Sequence, residues 1–278
     1  MKKLEWSRFA VMNMIYKFHS FDRFLDDMAE LGVKKVNLWG GHPQCDFLTV
    51  TNEEVLEMKQ KMDARDIECI CFTPEQINYP INIADSKNVI RESSIQALIR
   101  CVEITALLGA KIIQLCPGYA LYDADVREEA FDRSAKAIAT ICKAAAKHGI
   151  TVILEPLQIV ESNLVGDVES ARRMFDLVNK PNLKMMVDTT HMSVKGEMLE
   201  EYFEEFGKDL YHIHFNESDQ IIHGKGNLPL EDFMDVIEKY DYEGLLTLEM
   251  CPRRLAIDPT AASTAAVNYI KNLLDKRI

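Results

Sequence analysis

The chain has 278 residues, a formal charge of −12, and 47% hydrophobic against 27% charged residues. That composition is ordinary for a globular protein, and the length suffices for one large core. The acidic balance argues against nucleic acid as a partner, because phosphate binding needs clustered Lys and Arg.

The start, Met1-Lys2-Lys3-Leu4-Glu5, leads into no apolar signal core. Short apolar runs then alternate with longer amphipathic ones. Strands are expected near Phe9–Asn13, Lys35–Trp39, Glu68–Phe72, Lys111–Cys116, Thr151–Leu157, Lys184–Asp188, Leu210–Phe215 and Leu245–Met250. Helical patterns follow each. In the first, Phe21, Phe24, Leu25 and Met28 form one apolar stripe at the helical period; in the seventh, Leu230, Phe233, Met234 and Ile237 do the same. Gly32, Gly109 and Gly149 sit where helices should stop. The longest low-charge window, Ile104 to Tyr122, is broken by Gly109, Lys111, Pro117 and Gly118, so no membrane span is expected. The seven cysteines are scattered without a C-x-x-C pair, which fits a reduced, cytoplasmic protein. Cys69 and Cys71 are expected on one strand face, and Cys116 ends strand four.

Eight βα units of about 35 residues each point to a single-domain (β/α)8 TIM barrel over residues 1–278. A doubly wound open sheet shares the alternation, but the first βα turn lacks G-x-G-x-x-G.

The last four strands end alike. Val152 and Leu154, Met185 and Val187, Ile213 and Phe215, Leu246 and Leu248 suit the greasy face under the helices. The opposite parity then points Glu155, Asp188, His214 and Glu249 into the barrel mouth. That is where barrel enzymes keep their active sites. Left alone, three carboxylates there would repel. A divalent cation offsets them, and O/N ligands suit Mn2+, Mg2+, Co2+ or Zn2+. Read blandly, each group merely caps its own strand, but four in phase favour the metal. Glu161 and His191 are expected in βα loops, where substrate contacts belong. His212 is expected one layer deeper, as a hydrogen-bonded core histidine. Trp39 suits either an apolar wall beside a substrate or the core. Gly224-Lys225-Gly226 reads equally as a phosphate-receiving loop or a plain turn.

The runs Leu154-Glu155-Pro156-Leu157, Glu161-Ser162-Asn163, Val187-Asp188-x-x-His191, His212-x-His214, Gly224-x-Gly226-x-Leu228-Pro229 and Leu248-Glu249 resemble the sugar isomerase/epimerase superfamily of xylose isomerase-like barrels. Trp39-Gly40-Gly41-x-Pro43, Thr73-Pro74-Glu75, Tyr79-Pro80-x-Asn82 and Arg91-Glu92-Ser93 resemble its fructoselysine and ketose 3-epimerase branch. The resemblance implies that Glu155, Asp188, His214 and Glu249 hold one metal, Mn2+ or Co2+ first, with Zn2+, Mg2+ or Ni2+ as other fits. It implies that the metal binds O2 and O3 of a ketose, and that Glu155 and Glu249 exchange protons on opposite faces of C3. Glu161 and His191 would contact the sugar. One departure is Gln220, six residues after His214, where ketose 3-epimerases carry a sugar-contacting Arg. It favours a modified or different substrate. The partner implied is a small-molecule sugar, within a homo-oligomer, a dimer or tetramer.

Other readings of the same cage are an inosose-dehydratase-like elimination and a hydroxypyruvate-isomerase-like isomerisation. An endonuclease IV-like zinc hydrolase lacks support, because strands three and four end without His. A metal-free sugar-binding barrel is the reading without catalysis.

Overall fold

The computed structural model describes residues 3–277. Eight strands pair in parallel, each with the next in sequence, and the last pairs with the first to close a barrel. They are β1 (Phe9–Met12), β2 (Lys35–Gly40), β3 (Glu68–Pro74), β4 (Ile112–Leu115), β5 (Thr151–Leu154), β6 (Leu183–Asp188), β7 (Leu210–His214) and β8 (Leu245–Leu248). Helices cover the outside: α1 (Phe21–Glu30), α2 (Asn52–Asp63), α3 (Asn88–Leu107), α4 (Arg127–Ala146), α5 (Val168–Val178), α6 (Thr189–Lys195), α7 (Leu199–Phe206), α8 (Leu230–Lys239) and α9 (Pro259–Asp275). The expected fold class is the observed one.

The helices form for the reasons their sequences suggest. Ser20 caps α1 by accepting from Arg23 N–H, and the stripe Phe21, Phe24, Leu25 and Met28 is buried. The α8 stripe Leu230, Phe233, Met234 and Ile237 is buried likewise. Gly32, Gly109 and Gly149 follow α1, α3 and α4 in the left-handed region, with φ of +66°, +79° and +65°. The expectation of one helix after β6 needs correction. Asp188 caps α6 directly, and a second helix, α7, follows.

Two apolar layers result. The larger lies between barrel and helices and takes in Val152, Leu154, Met185, Val187, Ile213, Phe215, Leu246 and Leu248, as the alternation predicts. A small plug of Ala10, Ile70, Cys71, Ile112, Ile153 and Met186 fills the barrel interior. Cys69 and Cys71 do not share a face. The register against β2 jumps from Val36↔Cys69 to Asn37↔Cys71, a bulge at Ile70. Cys69 and Phe72 therefore join the outer layer, while Ile70 and Cys71 join the plug. All seven cysteines are free thiols. No helix among the described residues is long and apolar enough to cross a membrane.

Candidate active site

Strands β5 and β8 stop sooner than their apolar runs suggest. Pro156 offers no N–H to extend the β5 ladder, and Glu249 N–H is taken by Asn216 Oδ1 at 2.9 Å. Glu155 and Glu249 thus stand one residue beyond their strands, at the C-terminal rim. Asp188 and His214 are the last residues of β6 and β7.

These four side chains converge. His214 Nδ1 lies 2.9 Å from Glu249 Oε2, 3.5 Å from Glu155 Oε1 and 3.9 Å from Asp188 Oδ2. His191 joins them from α6, with Nε2 at 3.6 Å from Asp188 Oδ2 and 4.0 Å from Glu155 Oε1. It sits in a helix rather than the expected loop, because Asp188 Oδ1 accepts from Thr190 N–H and His191 N–H and starts α6 at once. Glu161 Oε2 stands 3.6 Å from the other His191 nitrogen. Two overlapping ligand sets arise, Glu155–Asp188–His191 and Asp188–His214–Glu249, each with donor atoms within 4.8 Å of one another.

Several buried atoms here have no hydrogen-bond partner: Glu155 Oε1, His214 Nδ1, His191 Nδ1 and Glu161 Oε2. Orphaned buried acceptors are costly. Carboxylate oxygens and an imidazole nitrogen converging on one point are a donor set that fits a divalent cation. The site's electrostatics agree. Burial, reinforced by the charges of Glu249, Asp188 and Glu161, pushes the Glu155 carboxyl well above the usual carboxylate range. Burial alone would raise Glu249 too, but the His214 imidazole beside it holds its carboxyl below the usual value. His214 is raised in turn, with Glu249 outweighing the effect of burial. Burial raises Glu161, against the pull of His191.

Above the cage opens a cavity of about 480 Å³, lined by Trp39, Glu155, Glu161, His191, Gln220 and Glu249 among others. Cys116 also reaches it. Trp39 is therefore wall rather than core. Gln220 reaches the cage itself: its Nε2 donates to Asp188 Oδ2 and to Glu249 Oε2, both at 3.1 Å. His212 lies deeper and is bonded to Thr247 Oγ1 at 2.9 Å, as a core histidine should be. The Gly224–Gly226 loop is a turn closed on a carboxylate. Glu217 accepts from the N–H groups of Gly224 and Leu228, so those donors are already used. A Cβ on Gly226 would fall 2.5 Å from Glu217 Cδ, which explains the glycine.

Sequence reasoning missed the polar residues that hold the cage. Asn216 Nδ2 donates to Asp188 Oδ2 at 2.7 Å and to Glu249 Oε2 at 3.3 Å. Asn37, Thr73 and Gln114 extend from β2, β3 and β4 into the same layer. Gln114 donates to Glu155 Oε2. A lone polar residue inside an apolar strand was the available signal for Asn37 and Gln114. Thr73 was hidden by the bulge.

A sequence model described as xylose isomerase-like TIM barrel matches residues 25–273. The fructoselysine 3-epimerase of Shigella flexneri is 28% identical over 230 residues, covering 81% of this chain and 83% of that protein. The L-ribulose 3-epimerase of Methylomonas sp. (strain DH-1) is 28% identical over 134 residues, covering 48% of this chain and 46% of its own. Among solved structures, the D-psicose 3-epimerase of Clostridium cellulolyticum H10 with D-tagatose superposes with a TM-score of 0.82 at 15% identity, covering 96% of this chain and 99% of that one. At that identity the likeness speaks to the fold.

Proposed function

The chain belongs to the xylose isomerase-like TIM barrel family, and from that footing we propose that it is a sugar epimerase inverting C3 of a ketose or ketose derivative by proton transfer. One observation carries the reading. Glu155 and Glu249 approach His214 Nδ1 from strands on different sides of the mouth, at 3.5 Å and 2.9 Å. The names of the relatives, fructoselysine 3-epimerase and L-ribulose 3-epimerase, point the same way.

Glu155, Asp188, His214 and Glu249 would hold one divalent ion, Mn2+ or Co2+ by preference. When bound, it supplies Lewis-acid stabilisation for negative charge developing on the substrate oxygens. The chain's own residues do the rest. A proton alpha to a ketone is weakly acidic, so one glutamate must take it while the other offers a proton to the opposite face. Such a pair needs two different environments. Burial among like charges sets Glu155 high, and the His214 imidazole sets Glu249 low. Glu161 and His191 line the cavity and orient sugar hydroxyls. Trp39 offers an apolar wall. Asn216 and Gln220 fix Asp188 and Glu249 through their amides. A glutamine tied to the cage leaves the sugar without the charged contact an arginine would give, which favours a modified ketose.

The test is a panel of ketoses, ketose phosphates and fructosamines with added Mn2+, Co2+ or Zn2+, followed by NMR in D2O. Inversion at C3 with deuterium incorporated there is expected. Inversion with full retention of the original hydrogen would refute proton transfer.

A further inference from the structure

One chain of polar side chains crosses the barrel beneath the cage and is not explained by ligand duty. Asn37, Thr73 and Gln114 sit on three successive strands, and Glu155 follows the fourth. Asn37 Nδ2 is 3.3 Å from His214 Nε2. Asn37 Oδ1 is 2.8 Å from Thr73 Oγ1, which is also 2.9 Å from the Gln114 carbonyl, so one hydroxyl faces two acceptors. The Gln114 NH2 meets Glu155 Oε2. Asn37 is fully buried, and Thr73 and Gln114 are nearly so.

Donor counting fixes the direction of this chain. A Glu155 that holds the metal is ionised and only accepts, so Gln114 must present its NH2 there and its carbonyl to Thr73. The Thr73 hydroxyl has one hydrogen, and Gln114 takes it. Thr73 Oγ1 must then accept from Asn37, which requires a half-turn of the Asn37 amide so that its NH2 faces Thr73. The two ends of an amide exchange by a half-turn, and hydrogen bonding decides between them. The Asn37 carbonyl therefore faces His214 Nε2, and that nitrogen must carry the hydrogen. Nδ1 is left as a lone pair. It is the atom that points into the cage, 2.9 Å from Glu249 Oε2.

We propose that Asn37, Thr73 and Gln114 form a positioning belt that ties metal-holding Glu155 to His214 and holds the imidazole as the Nε2–H tautomer, with Nδ1 free to bind the metal. The inference rests on the metal-holding role proposed above. It explains why a threonine and two amides occupy a layer that apolar residues would otherwise fill. Partners of this kind orient a histidine ligand, and their loss typically costs about 10–100-fold in metal affinity.

The experiment compares wild type with Thr73→Val and Thr73→Ser. Co2+ binding is read by calorimetry, and the histidine tautomers of the Zn2+-loaded protein by 15N NMR. Thr73→Val should weaken Co2+ binding roughly 10–100-fold, and Thr73→Ser, which restores the hydroxyl, should bind like wild type. In the wild type, His214 should carry its hydrogen on Nε2 and its metal on Nδ1. A folded Thr73→Val protein that binds Co2+ as wild type does overturns the belt and leaves the metal reading standing. So does a His214 protonated on Nδ1 in the loaded wild type, a result that needs no variant. Wild type that takes up neither ion ends both proposals.

Discussion

The Trp39 indole donates a 3.1 Å hydrogen bond to Oε2 of Glu75. The other oxygen of Glu75 accepts from the N–H groups of Ile77 and Asn78, each at 2.7 Å. A buried carboxylate thus joins the loop after β3 to the wall of the cavity. Glu75→Gln keeps the loop bonds but sets an NH2 against the indole N–H. We expect KM to rise by up to about tenfold with kcat nearly unchanged, as befits a lost hydrogen bond of about 1 kcal/mol that orients a binding wall. Steady-state rates check this, and an unchanged KM would remove Glu75 from that role.

The proposed proton-transfer pair gives the sharpest test. Glu155→Gln and Glu249→Gln should each lower kcat by about 100-fold to 10,000-fold, the usual contribution of a positioned acid or base. Either variant retaining most of its turnover would take that glutamate out of the chemistry.

Metal removal should abolish turnover and lower the melting temperature, because an ion that binds only the folded state stabilises it. In the metal-free protein, Glu155→Gln should have the opposite sign. The folded pKa of Glu155 lies above its unfolded value, through burial and then the neighbouring carboxylates. The folded state therefore disfavours the ionised form, and stability falls as pH rises above the unfolded value of about 4.3. Glutamine removes this cost. The metal-free variant should melt above metal-free wild type near neutral pH, with the gap shrinking toward about pH 4. Scanning calorimetry in chelator reads the difference, and coincident curves at both pH values would contradict it.

A cap remote from the site offers a control of opposite pH dependence. Asp167 caps α5 and accepts from Ser170 N–H at 2.9 Å. Burial opposes ionisation, but Ser170 and the 3.0 Å pair with Lys195 hold its carboxyl below the usual range. Its stabilisation is present above the unfolded value near 3.9 and is lost as pH falls through the lower folded value. Asp167→Ala should cost about 1 kcal/mol at neutral pH, or roughly 2–4 °C in melting temperature, and nothing measurable in acid. A cost that persists in acid would assign the effect to packing.

The barrel was legible because its strands keep strict alternation where the site is built. The parity of Val152, Leu154 and Glu155, or of Met185, Val187 and Asp188, survives into the structure unchanged. The sequence puts His191 near the cage but not among its ligands, because it does not reveal a cap that starts a helix at the strand's last residue and shortens the path from loop to centre. Asn37 and Gln114 were readable as isolated polar residues. Their purpose was not, since it depends on a contact across the barrel between β2 and β7. Glu75 is visible in the sequence only as part of its motif, since its partner Trp39 is 36 residues away.

The bulge at Ile70 has a consequence for how this chain tolerates change. Before it, odd-numbered Cys69 faces the helices; after it, odd-numbered Cys71 faces the lumen. One inserted residue works as a phase shift between the bottom of β3 and its top. Deleting Ile70 would remove that shift. With Ile70 removed, Cys69 outward, Cys71 inward, Phe72 outward and Thr73 inward form an unbroken alternation, so the polar layer keeps its facing and only the plug loses a side chain. At the bulge, the chain can lose one residue without turning Thr73 out of the polar layer.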